Sequence, residues 1–248
     1  MLKSTNLDEK LDYAVKLYDK KQYYKALPLF EELITLYRGT KKAEKTYYYF
    51  AYTNYKLEDY ASAAFDFENF AKTFPSSEWA EECSFMSAYC YYQDSPEYSL
   101  DQTNTLKAIS QMQLFADHYP ASKRIAECNE LIDQLRWKLE LKSYDIAKLY
   151  FSMEEYKAAV TSYKNLVKDF PSTKFREEAL FMILKAGFRL ADNSIDSKKA
   201  ERFQQAQLSY AEFVNAYPQS KYKKDADDIN EAIKKRQDKK DTASTPKL

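Results

Sequence analysis

The side chains best suited to chemistry in this sequence are one histidine, His118, and three cysteines, Cys83, Cys90 and Cys128. A single histidine cannot form a base dyad, and no two cysteines have the CxxC spacing of a zinc or redox site. Cys83 and Cys90 lie seven residues apart in one predicted helix, about 10 Å along its axis, whereas a disulfide needs Cα atoms roughly 4.4 to 6.8 Å apart. We therefore expect His118 and the thiols to be structural, with no metal and no cofactor.

The acidic residues and the glycines add no catalytic arrangement. The carboxylate pairs Glu81–Glu82 and Glu177–Glu178 are adjacent on predicted helices, so their side chains point apart and do not form an acid/base pair. We expect them to be surface charge. Gly39 and Gly187 are isolated, which excludes a glycine-rich phosphate loop. The sequence therefore predicts that this protein is not an enzyme.

Composition narrows the class of protein further. Lys and Arg total 38 and Asp and Glu total 38, so no net positive charge supports nucleic-acid binding. The apolar runs are far shorter than the roughly 20 residues that span a bilayer, and no signal segment opens the chain. Twenty-three tyrosines and fifteen phenylalanines against two glycines are atypical of sheets joined by glycine turns.

The elements that must position the aromatic residues are five repeated helices. When the five segments are aligned on a small residue, four positions are apolar or small in every copy: the small residue itself and the positions four, seven and eleven residues after it. These intervals place the four positions on one face of a helix. We call each aligned position a column. The columns are Ala26, Ala63, Ala108, Ala159 and Ala206; Phe30, Phe67, Met112, Tyr163 and Tyr210; Leu33, Phe70, Phe115, Leu166 and Phe213; and Tyr37, Phe74, Tyr119, Phe170 and Tyr217. In four copies a proline follows and ends the helix, at Pro75, Pro120, Pro171 and Pro218.

A second helix precedes each of these, with Ala14, Ala51 and Ala147 twelve residues before the partner alanine. The pattern resembles the tetratricopeptide repeat, a helical hairpin that stacks into a solenoid. We predict an all-α, tetratricopeptide-like right-handed solenoid over residues 1–232. Its hairpins are expected at about 7–38, 42–75, 78–120, 122–171 and 173–218, followed by a C-terminal helix, and residues 233–248 are expected to be a charged, disordered tail.

A narrower resemblance is carried by three segments: Leu100-Asp101-Gln102-Thr103, Tyr-Pro-Ala-Ser at 119–122, and Leu135-Arg136-Trp137-Lys138-Leu139. With five hairpins, they resemble the BamD family of outer-membrane assembly lipoproteins. The resemblance implies a scaffold at the periplasmic face of the bacterial outer membrane. It also implies that the C-terminal repeats bind a BamA-like barrel subunit and that the N-terminal repeats receive unfolded outer-membrane protein segments. Family members are anchored by a lipid on an N-terminal cysteine, so the resemblance implies that this chain starts after the lipidation site.

The tetratricopeptide pattern also predicts a peptide-binding surface. In tetratricopeptide solenoids the first helix of each hairpin lines a concave groove. The groove positions lie three residues before, one after and four after the small residue of that helix. These positions are Leu11, Val15, Tyr18, Tyr48, Tyr52, Tyr55, Phe85, Tyr89 and Tyr92. Aromatic side chains are the usual energetic centre of a peptide-binding surface. The alternative is that these residues pack against neighbouring helices.

Two other functional classes stay open at this stage. One is a periplasmic tetratricopeptide scaffold similar to the Tol-Pal accessory protein, although such proteins usually add a coiled coil and this chain has no heptad segment. The other comprises a cytosolic scaffold or an enzyme with a helical-toroid fold, which would need acidic residues converging on a pocket.

Overall fold

Residues 6–243 are described by a computed structural model, with side chains described through Gln237. These residues form eleven helices and no strand, so the predicted all-α, tetratricopeptide-like class is confirmed. The helices are α1 Leu7–Asp19, α2 Tyr23–Leu36, α3 Ala43–Lys56, α4 Tyr60–Thr73, α5 Ala80–Gln93, α6 Thr103–His118, α7 Ile125–Ser152, α8 Tyr156–Asp169, α9 Arg176–Asp192, α10 Asp196–Ala216 and α11 Lys223–Ala243. None of the described helices combines the length and the apolar composition that crossing a bilayer requires.

The repeated columns form the core. All five alanines of the first column are at most 1% exposed, and so are all five side chains of the column seven residues later. Small residues at the first position let the two helices of a hairpin approach closely, and the large side chains fill the space between successive hairpins. The regular spacing of apolar residues in the sequence therefore corresponds to the side chains that pack within and between the repeats.

The helices are grouped into two compact units. The first ends at Lys138 and the second begins at Leu139. Helix α7 contributes to both: Cys128 and Leu135 lie in the core formed with α5 and α6, whereas Tyr144 and Ala147 lie in the core formed with α8 to α11. The 28 residues of α7 thus serve two cores in succession.

Three hairpin turns share an unusual backbone conformation. Lys21, Glu58 and Glu154 have φ of 57°, 63° and 62°, the left-handed region that glycine favours. In each case the next residue donates its N–H to the carbonyl five residues earlier, as Glu155 does to Tyr150 at 3.0 Å. This bond satisfies a carbonyl at the end of the first helix, so the strained residue terminates the helix and starts the turn.

Because a side chain in this conformation costs roughly 1–2 kcal/mol, Glu154→Gly is expected to stabilise the protein. The gain is reduced by the extra entropy of glycine in the unfolded chain and should be about 0.5–1 kcal/mol in chemical denaturation. Glu155→Gly is the matched control, because its φ of −77° needs no glycine, and it should not stabilise. Equal effects of the two changes would contradict this explanation.

Successive hairpins are joined by a repeated hydrogen bond between a hydroxyl and a carboxylate. The hydroxyl belongs to a Ser or Thr two residues after the helix-ending proline, and the carboxylate belongs to the first helix of the preceding hairpin. The pairs are Ser77 to Glu44, Ser122 to Glu81, Thr173 to Glu140 and Ser220 to Glu177. The last three measure 2.6 Å. Each hydroxyl also accepts the backbone N–H two residues later, at 3.0–3.1 Å, so one side chain both caps a helix start and fixes the repeat before it.

The expectation that the glutamate pairs are only surface charge is therefore wrong. Glu81 accepts from Ser122 of the following hairpin, while Glu82 accepts from Tyr52 of the preceding one at 2.7 Å. The pair Glu177–Glu178 is arranged in the same way: Glu177 accepts from Ser220 of the following segment, and Glu178 accepts from Tyr144 of the preceding hairpin at 2.7 Å. Adjacent carboxylates do point apart, as expected, but they point towards the two neighbouring repeats.

The boundary placed at residue 232 lies inside α11, which continues to Ala243. Ala226 and Ile233 are fully buried and Ile229 packs beside them, so an apolar face holds the start of the lysine-rich segment against the second unit. Residues 233–243 are thus helical and not a disordered tail. The disorder expected for 244–248 lies outside the described residues.

Candidate peptide-binding surface

The nine predicted surface residues fall on α1, α3 and α5, all in the first unit, but two of them are buried. Leu11 is 4% exposed in the core of the first hairpin and Phe85 is 2% exposed. The guanidinium of Arg124 lies 4.1 Å from the centre of the Phe85 ring, so the beginning of α7 covers it. The prediction that Leu11 and Phe85 contact a peptide directly is therefore wrong, because both side chains are buried under the surface.

Tyrosine rings connect the remaining positions into one continuous row. We call it the aromatic ladder, and it consists of Tyr18, Tyr49, Tyr48, Tyr52, Tyr55, Tyr89 and Tyr92. The successive ring centroids lie 5.1, 5.9, 4.7, 6.3, 6.4 and 5.7 Å apart. All seven side chains are partly exposed, as is Val15 beside them. Three helices from three hairpins thus present a single aromatic strip.

Tyr49 is the member that the offset rule missed. It stands two residues before Ala51 and bridges α1 to α3, with its ring 5.1 Å from Tyr18 and 5.9 Å from Phe30. The available signal was the run of consecutive aromatic residues in α3, which occupies too many directions around one helix to be buried entirely. A rule based on one helix face could not select it.

Hydrogen bonds hold two of the ladder hydroxyls. Tyr52 donates to Glu82, whose carboxylate also pairs with Arg124 at 2.5 Å, and Tyr92 donates to Gln134 at 2.6 Å. Burial, and then the bond to Glu82, raise the pKa of Tyr52 far above its ordinary value. The hydroxyl therefore stays a donor at any physiological pH, and the ring is fixed by the following repeat.

The second unit carries a different surface at the equivalent offsets. Counting from Ala147 gives Tyr144, Lys148 and Phe151, and counting from Leu184 gives Phe181, Lys185 and Phe188. Lys185 Nζ lies 5.7 Å from the Phe151 ring and 5.8 Å from the Phe181 ring, and Arg236 Cζ lies 5.0 Å from the Phe188 ring. We call Lys148, Lys185 and Arg236 the cationic surface. Lys148 Nζ lies 6.0 Å from the Tyr144 ring, so each of the three cations lies over an aromatic ring, where it is attracted by the negative face of that ring.

Residues 8–202 match the YfiO family of outer membrane lipoproteins. The chain belongs to this family. It is 22% identical over 168 residues to the outer membrane protein assembly factor BamD of Caulobacter vibrioides, a match that covers 68% of this chain and 55% of that protein. It is 28% identical over 164 residues to the putative BamD of Aquifex aeolicus, covering 65% of this chain and 51% of that protein. The predicted BamD-family resemblance is thereby confirmed, and the matches span about half the length of these relatives.

Solved structures similar to this YfiO-family chain include two repeat proteins. A TPR repeats protein from Bacteroides fragilis has a TM-score of 0.45 and 14% identity and covers 94% of this chain and 100% of its own. The TPR2AB domain of yeast Sti1 has a TM-score of 0.41 and 14% identity and covers 92% and 98%.

The reactive side chains of this family member are held in the core or at helix ends. Cys83, Cys90 and Cys128 are buried and unpaired with one another, and burial raises the pKa of Cys90 to about 12, which disfavours the reactive thiolate. His118 is exposed and its ring lies 4.7 Å from that of Tyr119. Among the residues with described side chains, no three His, Cys, Asp or Glu side chains converge as metal ligands.

Proposed function

We propose that this protein is a non-enzymatic scaffold subunit of the outer-membrane β-barrel assembly machinery. In this proposal it works at the periplasmic face of the outer membrane, lipid-anchored in its full-length form. Its C-terminal repeats dock on a BamA-like barrel subunit, and its N-terminal repeats receive unfolded outer-membrane protein segments. Membership of an outer membrane lipoprotein family and similarity to BamD proteins, which are outer membrane protein assembly factors, support the general assignment.

The observation that carries the client-binding proposal is the aromatic ladder. An unfolded outer-membrane strand repeats its lipid-facing side chains every second residue, at about 6.6 Å. The ladder presents ring centroids 4.7–6.4 Å apart, so apolar side chains on one edge of an extended segment can contact consecutive rings. Rigid tyrosine rings bind such side chains at a low cost in conformational entropy.

Binding of a labelled peptide tests this proposal. A peptide with alternating aromatic and polar residues should bind at least tenfold more tightly than one of the same composition in which the aromatic residues are consecutive. Fluorescence anisotropy with the full chain measures both affinities. Equal affinities would mean that the surface selects composition and not an extended strand.

The cationic surface supports docking of the barrel subunit on the second unit. Lys148 and Lys185 have no carboxylate within ion-pair distance among the described side chains, whereas Arg236 is held by Asp192 at 2.5 Å. A partner with acidic side chains could pair with the two lysines without breaking an existing bond. Complementary charge of this kind governs specificity and association rate more than total affinity.

Charge reversal should therefore weaken docking. Lys148→Glu with Lys185→Glu is expected to reduce affinity for a BamA-like subunit about tenfold, mostly through slower association at low salt. The matched control reverses Lys157 and Lys168, two exposed lysines of α8, and should bind normally. Biolayer interferometry against the periplasmic part of the barrel subunit gives both rates. A similar loss in both variants would show a nonspecific charge effect and contradict the assigned surface.

A further inference from the structure

A small cavity lies between α8, α9 and α10 of the second unit, where α9 packs against both of the other helices. Its volume is about 140 Å³. The apolar part of its lining consists of Val160, Ile183, Gly187, Leu190 and Ala206. An engineered apolar cavity of about 150 Å³ in another protein binds benzene. The cavity of this chain therefore has room for one phenyl or isobutyl group.

Gly187 lies in the interior of α9, where glycine is less favourable than alanine because it loses more backbone freedom on folding. A Cβ atom at this position would have Ala206 Cβ at 3.7 Å and Ala206 Cα at 3.9 Å as its nearest neighbours, which are ordinary van der Waals distances. The packing of α9 on α10 therefore does not exclude alanine. Because Gly187 and Ala206 both line the cavity, a methyl group at residue 187 would take up part of its volume. The glycine thus leaves the cavity at its full size.

The polar part of the lining has positive charge and no negative charge. It consists of Lys164 of α8 and of Arg202, Gln205 and Ser209 of α10. Arg202 donates to Ser194, and among the described side chains no carboxylate forms an ion pair with Arg202 or with Lys164. An ammonium and a guanidinium beside one cavity favour an anion, and a guanidinium can bind both oxygens of a carboxylate. The lining therefore suits an apolar group that is attached to a carboxylate.

The surface around the cavity indicates a small ligand and not a protein partner. Leu208 is the one large apolar side chain exposed on α8 and α10, and the other large exposed side chains of these two helices are polar or charged. A protein partner that inserts one anchor residue needs further apolar contacts around that anchor. The occupant is therefore a molecule of about the size of the cavity.

We propose that this cavity binds a small apolar carboxylate, a free acid whose phenyl or branched aliphatic group has about four to six carbon atoms. The apolar group lies against Gly187 in the cavity, and the carboxylate pairs with Lys164 and Arg202. This site is separate from the aromatic ladder, which belongs to the first unit. It is also separate from the cationic surface, because Lys185 is two residues from both Ile183 and Gly187 and so lies on the opposite side of α9. The proposal does not depend on client binding or on docking of a barrel subunit.

Titration of the isotope-labelled full chain with phenylacetate, followed by two-dimensional NMR, tests the proposal. Saturable shifts should be confined to amides around the cavity, among them those of Gly187 and Ala206. The dissociation constant should be about 1 mM, as expected for a ligand of roughly ten non-hydrogen atoms. Phenylacetamide has the same shape without the charge and should bind at least tenfold more weakly. Shifts that do not saturate, or equal affinities for the acid and the amide, would overturn the proposal.

Gly187→Ala distinguishes a binding cavity from a packing requirement, because its effects on binding and on stability should have opposite signs. The added methyl group should weaken phenylacetate binding about tenfold, since it occupies part of the cavity. The urea midpoint should rise, since alanine is the better helix former and has less freedom in the unfolded chain. A lower midpoint would assign the glycine to helix packing, and unchanged affinity would place the ligand elsewhere. Either result would contradict the proposal.

Removal of the two cations tests the part of the proposal that concerns charge. Lys164→Gln with Arg202→Gln should weaken phenylacetate binding at least tenfold, to the level of phenylacetamide, and leave the affinity for phenylacetamide unchanged. The matched control, Lys157→Gln with Lys168→Gln, removes two exposed charges of α8 and should leave both affinities unchanged. An equal loss of phenylacetate affinity in the two double variants would reveal a general charge effect and would refute a carboxylate site at this cavity.

Discussion

Replacing Tyr55 and Tyr89 together by alanine is expected to weaken binding of an extended, alternating aromatic peptide by about a hundredfold. Their rings form the step between α3 and α5, with centroids 6.4 Å apart, so their loss removes the contact between the α3 and α5 parts of the aromatic ladder. Truncating a partly exposed aromatic anchor should cost about 1.4 kcal/mol, a factor of ten, and two such losses multiply if they are independent.

Substitutions at Tyr55 and Tyr89 should affect peptide binding with less effect on folding than substitutions at the neighbouring tyrosines. Neither hydroxyl donates or accepts a hydrogen bond among the described side chains, whereas the Tyr52 hydroxyl is bound to Glu82 in the next hairpin. Tyr52→Phe is the matched control: it should lower stability by about 1 kcal/mol through the lost bond and leave peptide affinity almost unchanged. Isothermal calorimetry and urea unfolding of the same samples give the two quantities.

Two other outcomes would change the interpretation of the ladder. Unchanged affinity in the double variant, with an intact fold, would mean that the peptide binds elsewhere. Loss of affinity that is matched by early unfolding would mean that Tyr55 and Tyr89 serve the packing between hairpins.

The repeat architecture was predictable because its packing is local in sequence. Each hairpin buries the same columns against its neighbours, so residues such as Ala108 and Phe115 could be assigned to the core from spacing alone. The proline after the last column marked the helix end in four of the five repeats in the same way. Local patterns of this kind need no knowledge of distant contacts.

The candidate site was less predictable because burial there depends on the next repeat. Phe85 occupies a groove offset, but Arg124, 39 residues later in the sequence, lies over its ring. The roles of Glu81 and Glu82 likewise depend on Ser122 and Tyr52. A pattern within one helix cannot identify such partners. The offset rule therefore found the row of tyrosines but not which rings are covered or how their hydroxyls are held.

The carboxyl of Asp66 predicts a measurable pH dependence of stability. Asp66 is 7% exposed in α4 and accepts a hydrogen bond from Asn54 of α3 at 2.8 Å. Burial raises its pKa to about 6, against the opposing effect of the Asn54 bond and with a further rise from the charge of Asp59. The desolvation of the carboxylate therefore outweighs its one hydrogen bond.

The direction of this pH dependence follows from comparison with the unfolded chain, in which the pKa of an aspartate is about 3.9. The folded state binds this proton more tightly, so the stabilising contribution is complete below about pH 4 and is lost as the pH rises through 6. The difference between the folded and unfolded pKa values corresponds to at most about 3 kcal/mol. Between pH 4 and pH 7, ionisation of Asp66 should therefore lower the free energy of unfolding by up to about 3 kcal/mol.

Asp66→Asn isolates this contribution because asparagine has the same size, can accept the hydrogen bond from Asn54 and does not titrate. Urea unfolding of both proteins at pH 4, 5, 6 and 7 should show the variant gaining on the wild type as the pH rises, by up to about 3 kcal/mol at pH 7 relative to pH 4. Asp12→Asn, a change at an exposed position of α1, controls for the loss of one negative charge and should give a difference of less than about 0.5 kcal/mol. Parallel curves for Asp66→Asn and wild type would show that the carboxyl ionises as readily in the folded protein as in the unfolded chain, and that water reaches it between α3 and α4.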